Sequence, residues 1–531
     1  MASLTSLPTD VLELIAVLCA SSLQSLLHLM LAGRTFYLRL SIAANPHIYA
    51  TICRRLFNVP FISQGVPQSS AVADELFRRL RVLRRIRDSD LTTHSLTQDL
   101  WTAFGLVLEG GAAHLREAGF LQYATTLLRR SLLLPGDVLF LDKSCGNGSQ
   151  ERVSLLLWLV ALTIKRDDIL GMDEERHEKL TDILMPLLLN KGLDLVDARR
   201  CYPHVCETND TAASPSSCAF SEGRPNSKHA SLAVREDHSL FDAVVFYGQA
   251  QCPRPRLPPA LCAAGTLYFA LRQAHTLQEP PGMPLDRAAA NISQRSGPTQ
   301  ADFHSWRAFR TPLFADYIAR PNPLPGADPC LNVLSITPSA PPQPSVQTYI
   351  LMNLPGVWDG SYFIAPFATP NQATAADFIC QRPMQCKLDV RPALTSLDDD
   401  PFEWSLRDIQ QPHRSRELEV GHTSLLQFPI GADDFSGCIV TGQTLEDHDE
   451  AWGAYLFYGK VYRDGRIVLK REVKGGYNDL STIVFEGHLF YGASLVGSWR
   501  SRTDESCPTR RGIFSMRRTP SGEETERPSL Y

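Results

Sequence analysis

Two clusters in the sequence carry side chains that could do chemistry. Cys201, His204 and Cys206 stand close together, with His229 and His238 beyond a polar stretch, and thiolate with imidazole is a donor set that suits zinc. Their spacing fits no closed four-ligand pattern, so incidental thiols and surface imidazoles account for them better. Glu446-Asp447-His448-Asp449-Glu450 could hold a hard cation or supply a general base. It lacks the spaced ligands and glycine turn of a calcium loop and lies between strand patterns, so a solvated loop is expected; Asp398-Asp399-Asp400 reads the same way. The sequence has no Gly-x-Ser-x-Gly, no phosphate-cradling Gly-Lys-Ser/Thr loop, no dinucleotide fingerprint and no His-Glu-x-x-His helix. The expectation is a non-catalytic chain with no metal and no cofactor.

A basic run is the other conspicuous group. Residues 73–87 alternate Leu76, Leu80 and Leu83 with Arg78, Arg79, Arg81, Arg84, Arg85 and Arg87, a helical spacing that could meet nucleic acid or an acidic peptide. Phe77 is the one aromatic residue among them, too few to interleave, and the chain's net charge is −5, so a solvated face whose arginine stems cover apolar neighbours is the better reading. No nucleic-acid partner is expected. Hydrophobic residues at 44% and charged residues at 21% fit a globular protein, and 531 residues leave room for two to four domains. Thirteen thinly spread cysteines argue for a reducing compartment, cytoplasmic or nuclear, where sequons such as those at Asn147 and Asn291 would stay unmodified. Residues 14–33 lack Asp, Glu, Lys and Arg, but Ser21, Ser22, Gln24, Ser25 and His28 interrupt them, and Asp10 and Glu13 stand where a signal peptide is positive. No membrane partner is expected.

The elements that must position any site follow from periodicity. Residues 7–40 carry Pro8 and Asp10 at a helix start, an apolar stripe of Val11, Leu12, Ile15 and Leu18, and a second stripe of Leu23, Leu26, Leu27, Met30 and Leu31 behind Ser21-Ser22. Gly33 then stops that helix before Arg34 and Phe36 enter a third. So much apolar surface must be buried against the chain itself or a partner. A short helix over 48–57 comes next, then a loop over 58–70. Residues 58–320 read as an irregular helical domain, with helices over 73–87, 111–133, 151–165, 176–189, 241–248 and 259–274 and a polar, mobile loop over 207–228. Prolines crowd residues 321–345, which reads as a linker isolating the C-terminal region. Beyond it, short alternating runs at 425–430, 436–443, 455–462, 466–470, 481–491, 494–500 and 512–517 argue for an antiparallel meander closed into a barrel over 346–520, before a flexible tail over 521–531. Arg463-Asp464-Gly465-Arg466 is a tight hairpin turn within it.

Leu7-Pro8-x-x-Val11-Leu12-x-x-Ile15, then Leu23-x-x-Leu26-Leu27, then Arg34-x-Phe36, resembles the F-box, with Ser22 and Leu31-Ala32 as departures from the usual pattern. The resemblance implies a three-helix segment over residues 1–57 that docks on the Skp-type adaptor of a cullin-based ubiquitin ligase. It implies Leu7, Pro8, Val11, Leu12, Ile15, Leu18, Leu23, Leu26, Leu27, Leu31, Arg34 and Phe36 as the contact set. The C-terminal residues Trp358-x-Gly360-x-Tyr362, Gly431-x-Asp433-x-x-x-Gly437, Gly497-x-Trp499 and Gly512-x-Phe514 resemble the sheet module of fungal F-box-like proteins and are similar to lipocalin and avidin barrels. Trp358 and Trp499 would close such a barrel by packing under its ends; lining a ligand is the other role open to them.

The fold class expected is therefore an α+β multidomain protein with an N-terminal three-helix F-box, a helical middle domain and a C-terminal antiparallel β-barrel. The function expected is a substrate-recognition adaptor that holds an unknown protein near the ubiquitin-charged enzyme. A small-molecule-binding barrel with a helical N-terminal domain is the alternative, and an enzyme of unrecognised type a further one.

Overall fold

The computed structural model describes residues 7–20, 23–57, 68–91, 95–133, 148–189, 244–246, 249–251, 257–273, 279, 281–308, 310–318, 346–364, 381–393, 401–402, 404, 437–462, 465–475, 482–501 and 511–519. Outside them lie Cys201, His204, Cys206, His229, His238, Asp398-Asp399-Asp400, Gly431 and Asp433. So do the loop over 207–228, the runs over 321–345 and 425–430, and the tail over 521–531.

Helices α1 (Thr9–Cys19), α2 (Leu23–Leu31), α3 (Arg34–Leu40) and α4 (Pro46–Phe57) begin the chain. Pro8 stands at the N-cap of α1 and Asp10 in its first turn, beside the unsatisfied N–H groups where an acid is favoured. The basic run forms α5 (Ser69–Arg87). Four of its arginines are paired: Arg79 is fully buried, donating to Glu75 at 3.0 Å and Glu109 at 2.6 Å, Arg85 meets Asp99, and Arg78 and Arg84 pair with Glu75 and Asp88. The helix expected over 111–133 is two, Ala112–Glu117 and Phe120–Leu133, because Gly119 between them takes a φ of +82° that ends a helix. At the centre of the helical body lies Gly148–Thr163, whose residues from Leu155 to Leu162 are buried without a break. Of the helix expected over 241–248, the described residues 244–246 are instead a strand: β1 (Val244–Phe246) pairs antiparallel with β2 (Gln249–Gln251), in keeping with its β-branched Val244-Val245.

The C-terminal region is an eight-stranded closed barrel. Its strands are β3 (Gly356–Ile364), β4 (Gln381–Ala393), β5 (Gly437–Gln443), β6 (Tyr455–Val461), β7 (Arg466–Val473), β8 (Ile483–Phe490), β9 (Ser494–Ser501) and β10 (Arg511–Arg518). Every neighbour is antiparallel and consecutive in sequence, and β10 closes on β3 through Phe514↔Tyr362. Side chains of one parity from all eight strands fill the interior, among them Trp358, Tyr362, Leu388, Val440, Phe457, Leu469, Phe485, Trp499 and Phe514. Gly512 is required there: a Cβ on it would stand 1.9 Å from the Phe363 carbonyl oxygen and 2.6 Å from Trp499 Nε1. Gly465 adopts φ +83° and donates to the Tyr462 carbonyl, as the hairpin signal demands.

The barrel is not isolated by the proline-rich stretch. Its outer residues Phe363, Phe490, Val496 and Ile513 belong to the same apolar core as the helices. Ala260–Arg272 lies on that wall, with Gly265 facing Val496 and Ile513 and the Tyr268 ring 5.2 Å from Phe363. Trp158 and Phe314 both meet the Phe490 ring at 5.3 Å. One end of the barrel is closed by the helix Val346–Asn353, beyond which Trp358 donates its Nε1–H to the Leu354 carbonyl at 2.8 Å.

Candidate docking surface

The first three helices have apolar side chains on both faces. Inward, Leu12, Ala16, Ala20, Leu26, Phe36 and Leu40 enter the main core. Polar contacts fix them: Arg39 donates to the Leu7 carbonyl at 3.2 Å, Tyr49 to the Leu40 carbonyl at 2.6 Å, and His47 pairs with Glu13 at 2.9 Å. Outward, Val11, Leu14 and Leu18 stand at i, i+3 and i+7 along α1, opposite Leu12 and Ala16. Leu27 and Leu31 stand one turn apart on α2, and Tyr37 and Leu38 adjoin on α3. Leu14 is 60% exposed and Leu31 69%, whereas Leu12 is wholly buried. No charged residue occurs on α2; Gln24 and His28, 3.0 Å apart, are polar neighbours on its outer side.

The contact set expected from the sequence divides between the two faces. Leu12, Leu26 and Phe36 are buried; Leu7 and Ile15 are half-buried; Pro8, Val11, Leu18, Leu27, Leu31 and Arg34 are exposed. The Leu23 side chain is outside the described residues. Leu14, Tyr37 and Leu38 were missed by the motif, and their signal is simply an apolar residue on the face opposite the buried one. The barrel residues Trp358, Tyr362, Trp499 and Phe514 are buried together, with Tyr362 edge-on to Trp499 at 5.6 Å. Gly360, Gly437 and Gly497 lie within their strands.

The acidic stretch expected to be a solvated loop is instead the helix Glu446–Trp452 between β5 and β6. Glu446 and Asp447 occupy its first turn, Asp449 accepts from Thr444, and Arg287 reaches Glu450 at 3.4 Å, so the acids cap and anchor a helix. Its His448 is buried, and burial pushes the imidazole down to about 4. Among the described residues no group of His, Cys, Asp and Glu is arranged to hold a metal ion, and no helix is long and apolar enough to cross a membrane. Cys53 and Cys438 are buried thiols pushed up to about 11, and Cys262 and Cys386 are raised further, which leaves them protonated and unreactive. Comparison with protein-family models, curated proteins and solved structures returns no match.

Proposed function

We propose that the chain is a non-catalytic adaptor that docks through the outer face of α1–α3 onto the Skp-type subunit of a cullin-based ubiquitin ligase and presents a substrate protein with the rest of its surface. The observation that carries the reading is the distribution of exposed apolar side chains. Among the described residues, seven of the twelve large hydrophobics that face solvent fall between Val11 and Leu38: Val11, Leu14, Leu18, Leu27, Leu31, Tyr37 and Leu38. A patch of this kind marks an interaction site, and its apolar side chains are the type that anchor a helix-in-groove interface. The F-box resemblance of the same helices names the partner. The adaptor raises the local concentration of substrate lysines near the charged enzyme and needs no catalytic residue of its own.

The test is a pull-down of the Skp-type adaptor by the full chain. The substitutions are Leu27→Asp with Leu31→Asp, both on the outer face, so folding is spared. Wild type is expected to retain the adaptor and the double variant to lose it, because an unpaired carboxylate in an apolar interface is expensive. A folded wild type that retains no adaptor would refute the reading.

A further inference from the structure

Arg471 is a buried cation that the barrel interior, among the described residues, leaves uncompensated. It shares the inward parity of Ile467 and Leu469 on β7 and is only 6% exposed. Its guanidinium lies 4.2 Å from the centre of the Tyr455 ring, 5.1 Å from that of Tyr362 and 5.8 Å from that of Phe485. Its Nε is buried with no hydrogen-bond partner, and no carboxylate among the described residues comes within ion-pair distance. The acids that act with Arg471 on His448 are engaged elsewhere: Asp359 accepts from Gln385 and Thr519, Asp449 from Thr444, and Asp302 from Arg287 and Thr299.

A second orphan stands in the same row. Successive register partners run Phe457↔Arg471, Arg471↔Ile483 and Ile483↔Ser501, and Ser501 Oγ is likewise buried without a partner among the described residues. This row is at the end of the barrel where β7 finishes and β8 starts, opposite the end closed by Val346–Asn353. Three ring faces relieve part of the cost of burying the cation, but they leave its buried Nε–H unmet. A carboxylate has the geometry that meets it, and Ser501 Oγ–H offers a further donor. Phe457, Ile483 and Phe485 around them are apolar.

We propose that this end of the barrel binds a small organic carboxylate with an apolar body, its carboxylate on Arg471 and its body against Phe457 and Ile483. The site is independent of the adaptor reading, since it involves no residue of α1–α3. The experiment uses octanoate as probe, with octanol as its uncharged counterpart, and follows thermal unfolding and calorimetric binding of the full chain. Octanoate is expected to raise the melting temperature of wild type in a concentration-dependent way, and octanol to do so at least tenfold more weakly. Arg471→Met, which keeps the apolar stem, is expected to bind octanoate at least tenfold more weakly than wild type; Arg471→Lys, which keeps the charge and loses the fork, falls between. Equal responses of wild type to octanoate and octanol, or no response to either, overturn the proposal whether or not the variants fold. Equal octanoate binding by wild type and a folded Arg471→Met does the same.

Discussion

Acid should unfold this protein through two histidines that its interior keeps neutral. His488, 2% exposed on the outer side of β8, has no partner on either ring nitrogen among the described residues and is register partner to Arg466; burial holds it near 4, with Glu486 raising and Arg466 lowering it. His448 is held near 4 by burial and the Arg471 charge, against the pull of Asp359, Asp449 and Asp302. Falling from the ordinary 6.5 to about 4 is worth roughly 3 kcal/mol for each histidine. Because the folded form resists the proton that the unfolded chain accepts, the loss begins as pH drops below 6.5, accumulates down to about 4 and then levels off. Urea unfolding of wild type, His488→Leu and His448→Leu between about pH 7 and pH 4.5 isolates the two groups from the carboxylates, which titrate in all three proteins. Each variant should gain roughly 2–3 kcal/mol on wild type across that interval. Parallel stability curves would show that the imidazoles find an acceptor or water on protonation, and the reasoning would fail.

The two faces of the N-terminal helices predict opposite responses to truncation. Leu12→Ala should cost about 2–5 kcal/mol in a urea titration, as for a fully buried leucine, and Leu31→Ala no more than about 0.5 kcal/mol. In the barrel, Gly512→Ala forces a methyl against the Phe363 carbonyl and the Trp499 indole and should cost about 1–3 kcal/mol, read as a lower melting temperature.

Where one face of an element is apolar and the other polar, the sequence was explicit. Alternation along β6, β8 and β9 and the Asp464-Gly465 turn locate most of the meander, and helical spacing locates α1, α4 and α5. Strand β4 escaped notice because Pro383 and Pro392 break its pattern, although the register carries both, opposite Ser361 and Cys438. The helix Glu446–Trp452 escaped because a dense run of acids resembles a solvated loop, and only the Arg287 and Thr444 contacts show what the acids do. The candidate docking surface was half legible for a different reason. An apolar run with residues on every side of a helix has no preferred inward face, so periodicity could not tell Leu12, which is buried, from Val11 and Leu18, which are exposed. Arg471 was readable in principle, since Ile467-x-Leu469-x-Arg471 continues one parity, but its want of a partner depends on three strands meeting.

The shared core bears on how such an adaptor would work. α1 packs on α4, α4 on α5, α5 on Leu96–Leu106, and that helix on Gly148–Thr163; this last helix packs on Ala260–Arg272, which lies against β9 and β10. Each contact is between buried, interdigitated side chains of one cluster, and close-packed interiors transmit displacement instead of absorbing it. A surface docked at Leu27 and Leu31 would therefore hold the barrel at a fixed distance and orientation, through contacts that bypass the proline-rich stretch. Fixed placement favours modification of lysines within a limited shell, because effective concentration is high only where geometry permits approach. In the adaptor reading, the helices between the two ends act as a spacer whose packing sets which substrate lysines come within reach.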